Sequence, residues 1–154
     1  MMVREALAAD IPAQVRLRMA LFGELGELDD PQASDALWQA TLAYFSAAQA
    51  DGSARSWLVE VDGVAVACGT LALFVRPPYP GNLAGREAYL LNMYTLPAWR
   101  KRGMASALLD AMAAHAREQR LGKLWLHASE QGHPLYERLG FVSNPACLEW
   151  CPAP

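Results

Sequence analysis

A run of three cations, residues 100–102, stands directly before Gly103 and an alanine-rich segment that begins at Met104. That segment has the composition of a helix, with an apolar stripe on one face formed by Met104, Leu108, Leu109, Met112 and Ala116. A helix N-terminus carries partial positive charge and unpaired N–H donors. Cations are unfavourable at this position unless an anion binds among them. Gly103 also lets a ligand approach the backbone closely. The spacing therefore predicts a pyrophosphate-binding turn.

One strand and two helices are predicted ahead of the main strands. The strand covers residues 2–6, and Asp10 is expected to cap the first helix. Ser34 is expected to cap a second helix that runs to about Gln49. An acidic loop over residues 23–31 joins the two helices.

Strands dominate the centre of the sequence. Asp62-Gly63 is a two-residue hairpin turn between a strand over residues 56–61 and a longer apolar strand over 64–75. The later elements, in chain order, are a strand over 87–96, a helix from Met104 to about Arg117, a strand over 123–128, a helix over 134–139 and a hairpin of 141–142 with 146–150. The helical crossover makes strands 88–95 and 123–128 parallel. We therefore expect a single α/β (α+β) domain over residues 1–154, with a mixed, mostly antiparallel sheet of about seven strands and about four helices.

Charge and cysteine content exclude several classes of protein. The net charge of −3 does not favour bulk nucleic-acid binding, and the longest apolar run, residues 64–75, is too short to span a membrane. Residues 1–77 carry five Arg and ten acidic side chains, whereas the remainder carries eight basic and six acidic ones, so the two halves suit different ligands. The three cysteines lack metal-ligand spacing, so we assign no metal site. They fit a reducing cytoplasm, and no signal peptide is visible.

The order of elements resembles the GNAT superfamily of acyl-CoA-dependent N-acetyltransferases. Arg100-x-x-Gly103-x-Ala105 is similar to that family's pyrophosphate motif, and Pro97 follows the strand as it does there. A second family signature is similar to residues 135–141, Leu-Tyr-Glu-Arg-Leu-Gly-Phe. The two signatures occur in the right order and together cover about residues 87–142.

The resemblance implies acetyl-CoA as the co-substrate and a set of residues that hold it. Backbone groups of Met93, Tyr94 and Thr95 would pair with the pantetheine arm, and a bulge in that strand would aim one N–H at the thioester carbonyl. The strands 88–95 and 123–128 would splay apart to admit the co-substrate. Ser129 would contact pantetheine. The pyrophosphate would be held by Arg100, Lys101, Arg102, Gly103, Met104, Ala105 and Ser106.

The resemblance also assigns the chemistry. Tyr136 would protonate the departing CoA sulfur, since a tyrosine hydroxyl with a reference pKa near 10 stays protonated at pH 7. We expect direct acetyl transfer to a primary amine in a ternary complex, with no covalent acyl-enzyme. The base that accepts the amine proton stays open, because Glu87, Glu137 and the acidic loop are candidates by chemistry alone. A homodimer is a further expectation by analogy.

Several features also have plainer interpretations. Tyr136 could serve only to pack a short helix onto the sheet. Residues 100–102 could form a solvated loop that binds no ligand. The carboxylates within 24–35 either attract a cationic amine or form a solvated face. Cys68, His115, His127 and His133 are given no role. The alternative function is a non-catalytic acyl-CoA-binding regulatory or interaction module, since the Walker and Gly-x-Gly-x-x-Gly patterns of other nucleotide-binding domains are absent.

Overall fold

The computed structural model describes residues 1–152, and its elements follow the predicted order closely. Short 3₁₀ turns cover Ala8–Asp10 and Pro97–Trp99. In chain order the strands and helices are β1 Met2–Glu5, α1 Ile11–Glu24, α2 Pro31–Asp51, β2 Ala54–Val61, β3 Val64–Val75, β4 Arg86–Thr95, α3 Met104–Glu118, β5 Lys123–Trp125 and α4 His133–Arg138.

The sheet has the order β1-β2-β3-β4-β5. The first three pairings are antiparallel and join neighbours in the sequence, whereas β4 and β5 are parallel. The hairpin at Asp62-Gly63 is confirmed, with both residues at positive φ (50° and 76°) as a type I′ turn requires. The mixed, mostly antiparallel α/β fold and the parallel crossover are therefore confirmed.

The strand count is a correction, since the sheet of residues 1–152 has five strands rather than about seven. Residues 141–142 and 146–150 form no hairpin, and β5 ends at Trp125 instead of Ala128. The apolar side chains of the expected hairpin, Val142, Leu148 and Trp150, are 85–92% exposed. A hairpin with no buried face gains little stability from pairing, which is consistent with its absence here.

The start of α2 is a second correction. The residue that caps it is Asp30, whose carboxylate accepts the N–H of Gln32 at 3.0 Å, and Pro31 occupies the first helical position. Ser34 already lies inside the helix. Since α1 extends to Glu24, the acidic connection shortens to residues 25–30. At the other helix, Asp10 does precede α1, but its carboxylate binds Arg4 and the N–H of Leu7.

Each face of the sheet is covered by different helices. The helix α3 packs its predicted apolar stripe on one face, where Ala88 and Leu90 of β4 are buried. On the other face Leu17 of α1 contacts a buried cluster that includes Cys68 and Tyr94. Because side chains alternate along a strand, Tyr89 and Leu91 point away from α3. This sidedness determines which residues can meet at the carboxyl end of β4.

Candidate functional site

The sheet opens between β4 and β5. Their pairing is limited to residues 87–89 against 123–125, although β4 continues to Thr95. Beyond Tyr89, the edge of β4 that faces β5 has no strand partner among residues 1–152. The backbone groups of Met93, Tyr94 and Thr95 lie along this open stretch. The predicted separation of the two strands is therefore present.

A β-bulge lies in the same stretch of β4. Cys68 of β3 stands opposite Tyr94 and Thr70 stands opposite Leu91, so Asn92 and Met93 together face the single residue Gly69. Asn92 has a φ of +57°, a left-handed value that Asn tolerates better than most residues. A side chain on Gly69 would collide with the Met93 sulfur, since a Cβ there would lie 2.5 Å from it. The bulge predicted in this strand is therefore located at residues 92–93.

Asn92 has a further property that singles it out. The residue is 5% exposed, yet the nitrogen and oxygen of its side-chain amide have no hydrogen-bond partner in the described part of the chain. A buried polar group without a partner is costly, and strained residues of this kind concentrate at functional sites. The main-chain carbonyl oxygen of Asn92 does accept a hydrogen bond, from the Cys68 thiol. Burial raises the pKa of that thiol to about 12. Cys68 is therefore protonated and is no nucleophile.

The turn from β4 to α3 presents free backbone donors. Lys101 and Gly103 have φ values of 60° and 79°, and Gly103 occupies the cap position of α3. Within residues 1–152, none of the N–H groups of residues 101–106 donates a hydrogen bond. A Cβ added to Gly103 would meet no atom within 4 Å, so the space beside it is open. Concave groups of N–H donors at a helix N-terminus bind anions.

Arg100 is engaged differently from its neighbours. Its guanidinium binds the Glu24 carboxylate through two hydrogen bonds of 2.7 and 2.5 Å, and its own N–H donates to the Pro97 carbonyl. The Tyr94 hydroxyl also donates to Glu24 at 3.1 Å. The hydrogen bond from Arg100 holds the pKa of Glu24 below its usual range. The free donors therefore begin at Lys101, and Arg100 ties the end of α1 to the turn.

The sequence does not indicate this ion pair, because Glu24 and Arg100 are 76 residues apart and no local pattern links them. Arg102 instead lies over the Trp99 ring, with its guanidinium carbon 4.9 Å from the ring centroid. Lys101 is exposed. The cationic run therefore divides into one structural arginine and two residues beside the open turn.

Ser129 and Tyr136 lie close together, around the start of α4. The Ser129 hydroxyl accepts the N–H of Gly132 just before α4, and a Cβ on Gly132 would lie 3.2 Å from both Ser129 Oγ and Tyr136 Cε2. The Tyr136 ring packs edge to face on Phe141 at 5.8 Å. Burial raises the pKa of the Tyr136 hydroxyl above its ordinary value, so this group keeps its proton at neutral pH.

Two base candidates have structural partners elsewhere. Glu87 is fully buried near the start of β4, where its carboxylate accepts hydrogen bonds from Arg76 and from the Tyr79 hydroxyl. Glu137 forms an ion pair with His133 on α4 at 3.4 Å.

None of the helices in residues 1–152 has the length and apolar character to cross a membrane. Nor does any group of three His, Cys, Asp or Glu side chains in that range form a metal site.

Comparisons with known proteins agree with this geometry. The model of the acetyltransferase (GNAT) family matches residues 20–141. A predicted acetyltransferase from Clostridium acetobutylicum, solved with acetyl-CoA, is 29% identical with a TM-score of 0.86, and the match covers 97% of this chain and 95% of that one. A GCN5-related N-acetyltransferase from Ralstonia eutropha JMP134 is 30% identical with a TM-score of 0.84 and 97% coverage of both chains. No curated protein matches the chain.

Proposed function

Because this chain belongs to the acetyltransferase (GNAT) family, we propose that it transfers the acetyl group of acetyl-CoA to a primary amine of a small molecule or peptide. The observation that supports this proposal most is the turn before α3, where the six consecutive N–H groups of residues 101–106 donate no hydrogen bond among the described residues and the space beside Gly103 is open. A pyrophosphate fits this set of donors, since it is doubly charged and accepts many hydrogen bonds. The family and its solved relative with acetyl-CoA support the same co-substrate.

The residues proposed for acetyl-CoA divide into three groups. The N–H groups of residues 101–106 and the Ser106 hydroxyl hold the pyrophosphate. The edge of β4 from Met93 to Thr95, which has no strand partner, pairs with the pantetheine arm as an added strand does. The Thr95 carbonyl on this strand already accepts a hydrogen bond from Arg100 Nε at 3.0 Å. Ser129 contacts pantetheine through its hydroxyl, whose oxygen already accepts one hydrogen bond. Arg100 contributes by fixing the turn through Glu24.

The proposed chemistry is direct transfer within a ternary complex. The neutral amine attacks the thioester carbonyl, and the developing oxyanion is stabilised by a backbone N–H at the bulge of residues 92–93. The C–S bond then breaks, and Tyr136 gives its proton to the leaving sulfur. The Tyr136 hydroxyl is protonated at neutral pH, as a proton donor must be before the step. Cys68 is buried and protonated, so it forms no acyl-cysteine intermediate.

A cationic acceptor remains part of the proposal, with fewer carboxylates to attract it. Glu24 binds Arg100, and Asp30 caps α2, so these two have structural partners. Glu27, Asp29 and Asp35 are exposed near the same end of the helical layer. Their charge would raise the local concentration of an ammonium acceptor, most strongly at low salt.

Several wider expectations stay predictions. A cytoplasmic location is supported by three free thiols, of Cys68, Cys147 and Cys151. A homodimer, a single domain over residues 1–154 and the absence of nucleic-acid and membrane partners rest on sequence reasoning. The competing function is a non-catalytic acyl-CoA-binding module, which needs the same turn but has no use for Tyr136 as an acid.

Acetyl-CoA turnover with a panel of primary amines tests the proposed function. The panel pairs cationic polyamines and amino-acid amides with neutral amino sugars, and thiol release is followed together with the mass of the product. We expect amine-dependent thiol release, a KM for cationic amines that rises with salt, and no acetylated protein in the intact mass spectrum. Binding of acetyl-CoA without turnover of any amine would instead favour the non-catalytic module.

A further inference from the structure

Three titratable side chains from distant parts of the chain form a connected series beside the opening of the sheet. The Tyr89 hydroxyl is hydrogen-bonded to Nδ1 of His127. The other ring nitrogen of His127, Nε2, lies 2.5 Å from a carboxylate oxygen of Glu149. Tyr89 belongs to β4, His127 follows β5, and Glu149 lies in the C-terminal segment. The series runs Tyr–His–Glu, in which the imidazole contacts a group on each side.

The position of the series matters because it borders the candidate acetyl-CoA site. Tyr89 is in the last residue pair between β4 and β5, where the opening begins. It precedes Asn92 by three residues, which is about 10 Å along a strand. Leu124 and Leu126 contact the core beneath α3, as Ala88 and Leu90 do. By alternation, Tyr89 and His127 therefore lie on the opposite face, at the mouth of the opening.

Aromatic packing holds the series in place while leaving its outer end in water. The Trp125 ring lies edge to face on Tyr89, with centroids 4.9 Å apart, and also borders His127. The His127 side chain is 55% exposed and that of Glu149 is 67% exposed. A proton received at the Tyr89 end therefore has a path to solvent through the imidazole. Among the described residues, Tyr89 and Glu149 are the titratable groups that contact His127.

We propose that Tyr89, His127 and Glu149 form the proton relay that deprotonates the acceptor amine, an inference that rests on the proposed function. As the amine nitrogen forms its bond to the acetyl carbon, its proton passes to the Tyr89 oxygen. The Tyr89 hydroxyl proton passes at the same time to His127 Nδ1, and Glu149 stabilises the resulting imidazolium. The imidazolium then releases one proton to water. Tyr136, having protonated the sulfur, regains one, so the net products are an amide and a thiol.

The relay assigns a tautomer to His127. Nδ1 must accept the Tyr89 hydroxyl proton in the resting state, so the ring proton must reside on Nε2 and be donated to Glu149. A merely structural histidine has no such requirement, since the Tyr89 oxygen is equally able to accept a proton from Nδ1. Nitrogen NMR of the imidazoles distinguishes the two tautomers, and the chain contains only three histidines.

Kinetics of matched variants provide the main test. Tyr89→Phe and His127→Gln are each expected to lower kcat by about 100-fold or more at neutral pH, which is the usual contribution of general-base catalysis. The double variant is expected to fall no further, because the two side chains act as a unit. The Kd for acetyl-CoA is expected to change by less than about threefold. His133→Gln removes another histidine with a glutamate neighbour and is expected to retain activity.

The pH profile separates the relay from a structural role. The acidic limb of the kcat profile, measured at saturating amine so that it reports groups of the bound complex, is expected to be lost in His127→Gln and to shift in Glu149→Gln. His127 is expected to show the Nε2–H tautomer. Full activity in Tyr89→Phe or His127→Gln, or an Nδ1–H tautomer, would overturn the relay and leave the proposed function standing. Binding of acetyl-CoA without turnover of any amine by the unmodified protein would overturn both.

Discussion

Replacing Tyr136 by Phe is expected to lower kcat by about 10²- to 10⁴-fold, the range typical of a lost general acid. The hydroxyl is the group that would give its proton to the CoA sulfur, and burial raises its pKa so that it is protonated at neutral pH. Phe keeps the ring and therefore its packing on Phe141. The Kd for acetyl-CoA is expected to stay within about threefold, because ground-state binding does not use this proton.

The measurement compares kcat, acetyl-CoA Kd and urea unfolding of the variant with those of the unmodified protein. Tyr44→Phe serves as the control, since Tyr44 also packs edge to face on a phenylalanine, at 5.3 Å, but lies on α2 away from the proposed acid. The control is expected to retain kcat. If Tyr136→Phe also retained kcat while folding normally, the hydroxyl would be no acid and Tyr136 would serve packing alone.

Replacing Gly103 by Asp is expected to weaken acetyl-CoA binding by more than about 100-fold, roughly 2.7 kcal/mol. Two effects act together at this position. Its φ of 79° is unfavourable for any residue with a Cβ, at about 1–2 kcal/mol. The new carboxylate would also enter the space proposed for the pyrophosphate, and juxtaposed like charges cost several kcal/mol.

Gly52→Asp is a matched control for the backbone strain and the added charge. Gly52 has φ 76° and ψ 11°, close to the 79° and 4° of Gly103, and open space beside it as well. Both variants carry similar backbone strain, on the order of 1–2 kcal/mol. Gly52→Asp is expected to lose more free energy of unfolding, because a carboxylate is unfavourable at the C-terminus of α2 and favourable at the N-terminus of α3. Only Gly103→Asp is expected to lose acetyl-CoA binding, measured by calorimetry. Equal binding in the two variants would contradict the assignment of the turn.

Local sequence chemistry predicted the elements that position the site. The Asp62-Gly63 turn and the apolar stripe of α3 depend on short-range rules, and both are confirmed. Ser34 was expected to cap α2, but Asp30, which also satisfies the rule, is the residue that does so. Pro31, which suits the first helical position, was the signal that distinguished them. Strands 141–142 and 146–150 have the right pattern but bury no face, which only the packed structure reveals.

The missing parts of the site are contacts between distant residues. Glu24 meets Arg100 across 76 residues, and Tyr89 meets His127 across 38. No periodicity or motif encodes such pairs, because they depend on how the ends of separate elements converge. Asn92 was also missed, although a polar residue inside an apolar strand is a local signal that could have marked the bulge. The functional assignments of Tyr136, Ser129 and residues 101–106 remain predictions for experiment.

The most direct test of the account is a calorimetric titration of the unmodified protein with acetyl-CoA and, separately, with acetyl-pantetheine, which lacks the pyrophosphate. We expect acetyl-CoA to bind with micromolar affinity and acetyl-pantetheine to bind at least about 100-fold more weakly, because the free N–H groups of residues 101–106 would have no anion to hold. Equal affinity for the two compounds, or no binding of acetyl-CoA by the folded protein, would contradict the assignment of this turn as a pyrophosphate site.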